Sequence, residues 1–515
     1  MLEVISLVIS LFLLTYAVRA FIFLHISRKY HLDSIHITHQ SPPQSTSKTL
    51  DKSNISYSVT ADQNLILHDG LKKQILERNI LSYMPKLNYD EFTANFEVPE
   101  SKFSVSSNRS QPVISIIVAT YNEEAVIGNL LNSLEMLTYN RSRFEVIVVD
   151  DSTDSTGRIL GEWAKRLENL KIIKRSKRIG WKGGALNLAL KYLRKDSAWV
   201  IVLDADTILP TQIIEKFLTA LYNSKKICNA IQGYCIPYNN YFRPNTGFVN
   251  WISKGVEFRL AQRNMIEFVA KDKLNLPIQI TGSLFMVRSS ILKEIGFPTD
   301  ICEDWDLTVE LYLRRCNNSS TAESEFDSPL GKTTILFDEN LNAGSQMPTA
   351  FSSYFKQRLR VSEGHTRGFI KMMPRIIRQK QLLKNKVELF LTGLQYLKHV
   401  FVFTVILLDF FTGILLGSDM LNVYSLVSFL LQLLYLLSVI ISNVLSVNIY
   451  SRSRQYDLSF LVSKMLLDVC TLPALIIGSL LGILRTKGTF YRTQRIASNV
   501  RYSSINEPLD NKFIR

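Results

Sequence analysis

Between residues 113 and 222, short apolar runs alternate with longer stretches that mix apolar and polar positions. Apolar runs of roughly four to eight residues bounded by polar clusters have the length of buried strands, and longer periodic stretches have the length of helices. The pattern predicts strands at 114–119, 144–149, 171–174 and 199–203, each followed by a helix, at 125–137, 155–167, 183–192 and 211–222. A short strand at 284–287 and a helix at 307–314 are expected downstream. Alternation of this kind gives an α/β fold, a mostly parallel sheet with helices on both faces.

Four apolar blocks bracket this region. Residues 2–24 carry charge only at Glu3 and Arg19, and the block is long enough to cross a bilayer. Three more lie at 389–417, 421–447 and 457–484, while 26–386 has the composition of a soluble protein. The first block lacks a basic start, and its basic residues (Arg19, Arg28, Lys29) come late. That order favours an uncleaved anchor whose C-terminal end is cytoplasmic over a secretory signal. The expected organisation is an anchor (1–25), a polar segment (26–110), an α/β domain (111–348), basic interfacial helices (349–386), C-terminal membrane helices (387–485) and a tail (486–515). Residues 39–60 read as a flexible linker, with a short helix near 69–84.

The net charge of +15 is concentrated. From Lys356 to Lys386, Glu363 is the only acid among many Lys and Arg residues. Beside an apolar block, that run marks a cytoplasmic side and suits a helix lying on anionic headgroups. Membrane lipid is therefore the expected partner of the run, and nucleic acid is not. The five cysteines show no paired metal-ligand spacing and read as reduced thiols.

Polar clusters at strand ends carry the candidate chemistry. Carboxylates at the C-terminal ends of parallel strands meet in the crevice where open α/β sheets bind ligands. Thr120, Tyr121 and Glu123 end the first strand; Asp150 and Asp151 end the second. Asp204 and Asp206 follow the apolar run 199–203, and alternation along an extended segment puts both on one side of the chain. They can then face a divalent ion that also holds phosphate groups. Lys182, in Gly180-Trp-Lys-Gly-Gly184 at a helix start, suits a phosphate. Thr281-Gly282-Ser283 precedes the strand at 284–287, and Glu303-Asp304 opens the next helix, where a carboxylate can serve as general base. Gln357, Arg358 and Arg360 supply donors suited to a diphosphate leaving group. Simple helix capping is the competing reading for the acids, above all for Asp154.

In this order, the segments resemble a family 2 glycosyltransferase of the membrane-integrated branch that includes cellulose, chitin and hyaluronan synthases. The resemblance covers about residues 113–365 and implies a GT-A type nucleotide-sugar fold with inversion at the anomeric carbon. It implies that Thr120, Tyr121, Glu123 and Asp151 hold the nucleoside. Lys182 matches the lysine of the family's K-x-G-A-L-N segment. Asp204 and Asp206 match its metal-binding DxD, with Mg2+ or Mn2+ as cofactor and Asp206 as the more direct ligand. Asp304, after Glu303, matches the general base, and Gln357 and Arg360 match Q-x-x-R-W. The partners implied are a nucleotide-diphosphate sugar and a lipid-linked or glycan acceptor.

Two positions depart from the family. Cys302 replaces threonine, and Val361 stands where a tryptophan would stack on the acceptor sugar. Loss of that ring weakens the case for long-chain polymerisation and puts transfer of one or a few sugars to a lipid-linked acceptor level with it; a processive synthase is kept as an alternative. A segment at 490–495 resembles a cytoplasmic gating loop, so 457–484 is expected to be partly interfacial or re-entrant. The rival classes are a non-catalytic membrane scaffold and a Rossmann oxidoreductase, the latter without a G-x-G-x-x-G after the first strand.

Overall fold

The computed structural model describes residues 2–39, 111–237 apart from 225 and 227, 247–313, 335–379, 382–416, 423–450 and 457–485. The expected linker, the helix near 69–84 and the segment 490–495 lie outside these residues. The described residues other than 30–39 pack as one unit.

Seven strands form one sheet: β1 (Val113–Thr120), β2 (Phe144–Asp150), β3 (Leu170–Lys174), β4 (Ser197–Asp204), β5 (Ala230–Pro237), β6 (Phe285–Arg288) and β7 (Ile335–Ser345). Their order is β3-β2-β1-β4-β6-β5-β7, parallel except that β6 runs antiparallel to β4 and β5. After α1 (Leu2–His39), the crossovers are α2 (Ile127–Glu135), α3 (Thr156–Ala164), α4 (Trp181–Leu190) and α5 (Ile213–Asn223). β1 and β2 are buried on both faces because helices cover both. α2, α3 and α5 pack on the face of Ile114, Ile116 and Val118. α4 lies against β1 and β2 outside that cluster, on the opposite face.

The register fixes the site. β1 pairs Thr120 with Asp150 and Ala119 with Asp204, and β2 pairs Asp150 with Lys174. The polar ends of four strands therefore lie side by side at one edge, as the sequence pattern required.

The second half of the domain departs from expectation. α6 (Gly247–Ala261) runs through a π-helical turn (Gln262–Phe268) into α7 (Val269–Leu274). α8 (Ser289–Ile295) follows β6, and α9 (Glu303–Leu313) starts four residues before the predicted helix, which places Glu303 and Asp304 in its first turn. Three acids near a helix N-terminus are favoured by its dipole, so the helix begins at them.

Outside the sheet lie α10 (Phe351–Arg378), α11 (Leu383–Gly393), α12 (Lys398–Leu416), α13 (Val423–Tyr450) and α14 (Leu458–Leu484). Among the described residues, three helical segments are long and apolar enough to cross a membrane: Leu2–His31, Leu426–Val447 and Leu458–Leu484. α11 and the start of α12 make a fourth only as a pair bent by 69°. The break thus falls before α12, whereas α14 is continuous through Pro473. α14 nonetheless touches domain elements along its length. Lys254 Nζ of α6 donates to Ser459 Oγ at 2.8 Å near its start. Ser362 Oγ of α10 donates to the Ala474 carbonyl at 3.2 Å further on.

Three cations of the basic run 356–386 pair with acids of the α/β domain. Arg367 forks onto Asp300 (2.8 and 3.1 Å), Lys371 lies 3.8 Å from Asp306, and Arg375 pairs with Glu310. These three cations dock α10 on α9 and the loop before it.

Candidate active site

Lys182 is the hub of the site. Gly180 (φ 73°) and Trp181 (φ 49°) make a left-handed turn that starts α4, so Lys182 leaves its first turn toward the strand ends. Its Nζ donates to Asp204 Oδ1 at 2.5 Å and to the Gly282 carbonyl at 2.6 Å, and lies 3.5 Å from Glu303 Oε1. Burial works against the ammonium, but the Asp204 and Glu303 carboxylates outweigh it and hold its pKa above the ordinary lysine value. Gly282 has φ 81°, a conformation that favours glycine. A Cβ there would lie 3.8 Å from both Lys182 Nζ and Asp304 Oδ2, so Gly282 sits between cation and acid.

The loop 281–284 is bolted in place by a residue that the motif pattern does not flag. Gln232 of β5 is fully buried; its Nε2 donates to the Ser283 carbonyl (3.1 Å) and its Oε1 accepts from Thr281 N (3.0 Å). Ser283 Oγ in turn accepts from Asp204 N at 2.9 Å. Only the buried amide inside an apolar strand hinted at this role.

Asp204 and Asp206 are held by different partners. The Asp204 side chain is 40% exposed and faces Lys182. Asp206 is buried, its Oδ2 accepting from Ser345 Oγ (2.8 Å) and Gln346 N (2.9 Å) at the end of β7. Among the described residues, no group of three or more His, Cys, Asp or Glu side chains stands ready to hold a metal. A hard cation takes about six oxygens, so a fit here requires substrate oxygens beside the two aspartates.

Glu303 and Asp304 both have raised carboxyls. Burial pushes Glu303 up to about 7, with Lys182 opposing and Asp304 adding to the rise. Burial also raises Asp304, against the hydrogen bond from Trp305 N and the charge of Lys182. Cys302 is buried, with its Sγ donating to the Val361 carbonyl at 3.6 Å. Burial and the two neighbouring acids push its thiol well up, and Arg360 acts against them. Arg360 and Val361 therefore stand beside the start of α9. Arg358 points elsewhere and lies over the Tyr396 ring at 5.1 Å.

The crevice mouth is built by the first two strands. Thr120 is buried and donates to Asp150 Oδ1 at 3.0 Å, so it braces the strand ends. Asp150 also accepts from Lys174 Nζ at 2.8 Å and Ser152 N at 2.9 Å. Burial alone would raise its carboxyl; these hydrogen bonds outweigh burial and lower it. Asp151 is gripped by the Arg175 fork. Arg178 lies 3.5 Å over the Tyr121 ring and 5.0 Å from that of Trp181. Glu123 accepts through its carbonyl from Val126 N and Ile127 N and starts α2. Arg175 and Arg178 sit in a loop that reads as plain basic surface; pairing to the motif acids is what gives them a place.

Residues 115–296 match the family model described as glycosyl transferase family 2. The chain carries a family 2 glycosyltransferase domain and is a glycosyltransferase. It is 24% identical over 396 residues to a probable glycosyltransferase of Sulfolobus acidocaldarius, across 75% of this chain and 77% of that one. It is 44% identical to a beta-monoglucosyldiacylglycerol synthase of Nostoc sp., but over only 19% of this chain and 21% of that protein. A mannosyltransferase from Pyrobaculum calidifontis, solved with GDP-Man and Mn2+, aligns with 72% of this chain and 88% of its own at 19% identity, TM-score 0.46. An enzyme replaces the scaffold and oxidoreductase readings.

Proposed function

We propose that the chain is an inverting glycosyltransferase of the membrane-integrated branch, moving a sugar from a nucleotide-diphosphate sugar to a lipid-linked acceptor at the cytoplasmic membrane face. The observation that carries this reading is Lys182 bridging Asp204, Gly282 and Glu303 within reach of Asp304. A cation beside two buried acids with raised proton affinity is an arrangement for transferring a proton next to a departing anion.

Tyr121, with Arg178 over its ring, and Asp151, oriented by Arg175, line the nucleoside side. Asp304 takes the proton of the acceptor hydroxyl as its oxygen forms a bond to the anomeric carbon. The bond from that carbon to the diphosphate breaks, and its electron pair leaves with the diphosphate. Lys182 and Arg360 stabilise the departing charge. Asp204 and Asp206 would hold Mg2+ or Mn2+ together with diphosphate oxygens, and that ion would neutralise part of the leaving group's charge.

Val361 supports a lipid-linked acceptor over a growing polymer, since an isopropyl group cannot stack on a sugar ring. A processive synthase is the second reading, supported by Gln357 and Arg360 matching the family's Q-x-x-R-W motif. Release of sugar from labelled nucleotide sugars by the purified protein tests the reading, with Asp204→Ala and Asp304→Asn as controls. Near-normal turnover in either variant would sink the assignment.

A further inference from the structure

Gln232 is fully buried in β5, paired across the sheet with Phe285 of β6 and Phe337 of β7. An apolar residue of similar size would be easier to bury there, because a buried amide must recover the hydrogen bonds it made with water. Gln232 recovers them from the segment 281–284 and from the adjacent Gly233. Its Nε2 donates to the Gly233 carbonyl at 2.7 Å and to the Ser283 carbonyl at 3.1 Å, and its Oε1 accepts from Thr281 N at 3.0 Å. One amide thus grips the segment on either side of Gly282.

The segment needs such a grip. Two residues after Gly282, the buried Leu284 stands at φ 52°, a left-handed conformation that is strained for a bulky side chain. Strain of this kind persists only where the surroundings enforce it. β5 is irregular at the same point. Its register with β7 shifts between Gln232 and Tyr234, and Gly233 N donates to the Leu284 carbonyl at 2.9 Å. Shifts of this sort re-aim side chains and are frequent beside active sites.

Each central group of the proposed mechanism is tied to this segment. The Gly282 carbonyl accepts from Lys182 Nζ at 2.6 Å, and Ser283 Oγ accepts from Asp204 N at 2.9 Å. Just upstream, Ile280 N donates to Thr308 Oγ1 at 2.9 Å, and Thr308 Oγ1 donates to the Asp304 carbonyl at 2.7 Å. Lys182 comes from α4, Asp204 from β4 and Asp304 from α9, so three separate elements are registered against one another here. Tyr121 and Asp151 are placed differently, by Arg178 and Arg175.

We propose that Gln232 is a positioning residue for the transfer reaction, holding the strained segment 281–284 in the conformation that sets Lys182 between Asp204 and the acids of α9. The inference rests on the roles proposed above for Lys182 and Asp304. Without the amide the segment relaxes, the Gly282 carbonyl leaves the Lys182 ammonium, and cation and base lose their mutual placement. The nucleoside side, held by other partners, keeps its shape.

The test uses the purified full chain in detergent, with whichever of UDP-glucose, UDP-N-acetylglucosamine or GDP-mannose the wild type consumes. Gln232→Met keeps length and burial but removes both donor and acceptor. Its kcat should fall about 10- to 100-fold, with donor KM within about 3-fold of wild type. Amide exchange read by mass spectrometry should be at least about 10-fold faster in peptides covering 281–284 and 204–206, and unchanged in β1. Gln232→Glu retains the acceptor for Thr281 N; it should fall between the two, and it replaces the Met variant if that one does not fold. Wild-type exchange over 281–284 in a folded variant would overturn the role. Faster exchange with wild-type kcat, or a loss confined to donor KM, would overturn it as well. Turnover retained by Asp304→Asn, or none by the wild type, would instead remove the catalytic assignment on which the role rests.

Discussion

Asp304 is distinguished from the other acids by what surrounds it. Asp150 and Asp151 are tied to Lys174 and Arg175, whereas Asp304 is partly buried beside Glu303, with Lys182 reaching Glu303 and Asp204. Asp304→Asn should lower turnover by about 10^2 to 10^4-fold while nucleotide affinity, measured by calorimetry, stays within about 2-fold of wild type. Glu303 makes a pH prediction. Its carboxyl rises from 4.5 to about 7, so between these values the native state holds a proton that the unfolded chain has released. Stability should therefore fall as pH rises through that window. Melting temperature against pH should show this decline in the wild type and a shallower one in Glu303→Gln; parallel curves would refute the burial argument.

At the scale of elements, α10 joins the chemistry to the membrane helices. A Cβ on Gly478 would collide with Ser362 Oγ and the Leu359 carbonyl, so α14 approaches α10 through a residue without a side chain. Gly478→Leu should cost about 1–3 kcal/mol by overpacking, read as a drop in unfolding midpoint; an unchanged midpoint would show that the two helices are not in this contact. The strands around the site were legible because β1, β2 and β4 are buried on both faces and so appear as unbroken apolar runs. β7 was not, since it lies at the sheet edge beside β5 and carries Asp338, Glu339 and Asn340 mid-strand. The helical stretch from α6 to α7 was also missed, because its packing partners include α14, about 200 residues later, and no local periodicity reports them. Among site residues, the motif acids and Lys182 stood out by spacing. Gln232 and Arg175 did not, since each matters through a partner distant in sequence.

For the whole molecule, a buried network of Arg19, Glu267, Lys271 and Glu388 ties the N-terminal helix to the π-helical turn and α11. Removing one member leaves its partners uncompensated, so Arg19→Ala should destabilise the protein by about 3–5 kcal/mol, measured by thermal unfolding in detergent. We propose that α14, which contacts α6 and α10, lies partly in the interface, although its length and apolarity also suit a span. A cysteine introduced at Ser503 should then be labelled from the catalytic-domain side, and labelling only from the opposite side would exclude that placement. The most direct measurement incubates membranes containing the protein with a panel of labelled nucleotide sugars and separates lipid extract from polymer. Label in the lipid extract with the wild type, and none with Asp304→Asn, is the expected result. Label confined to polymer, or equal transfer by both proteins, would contradict it.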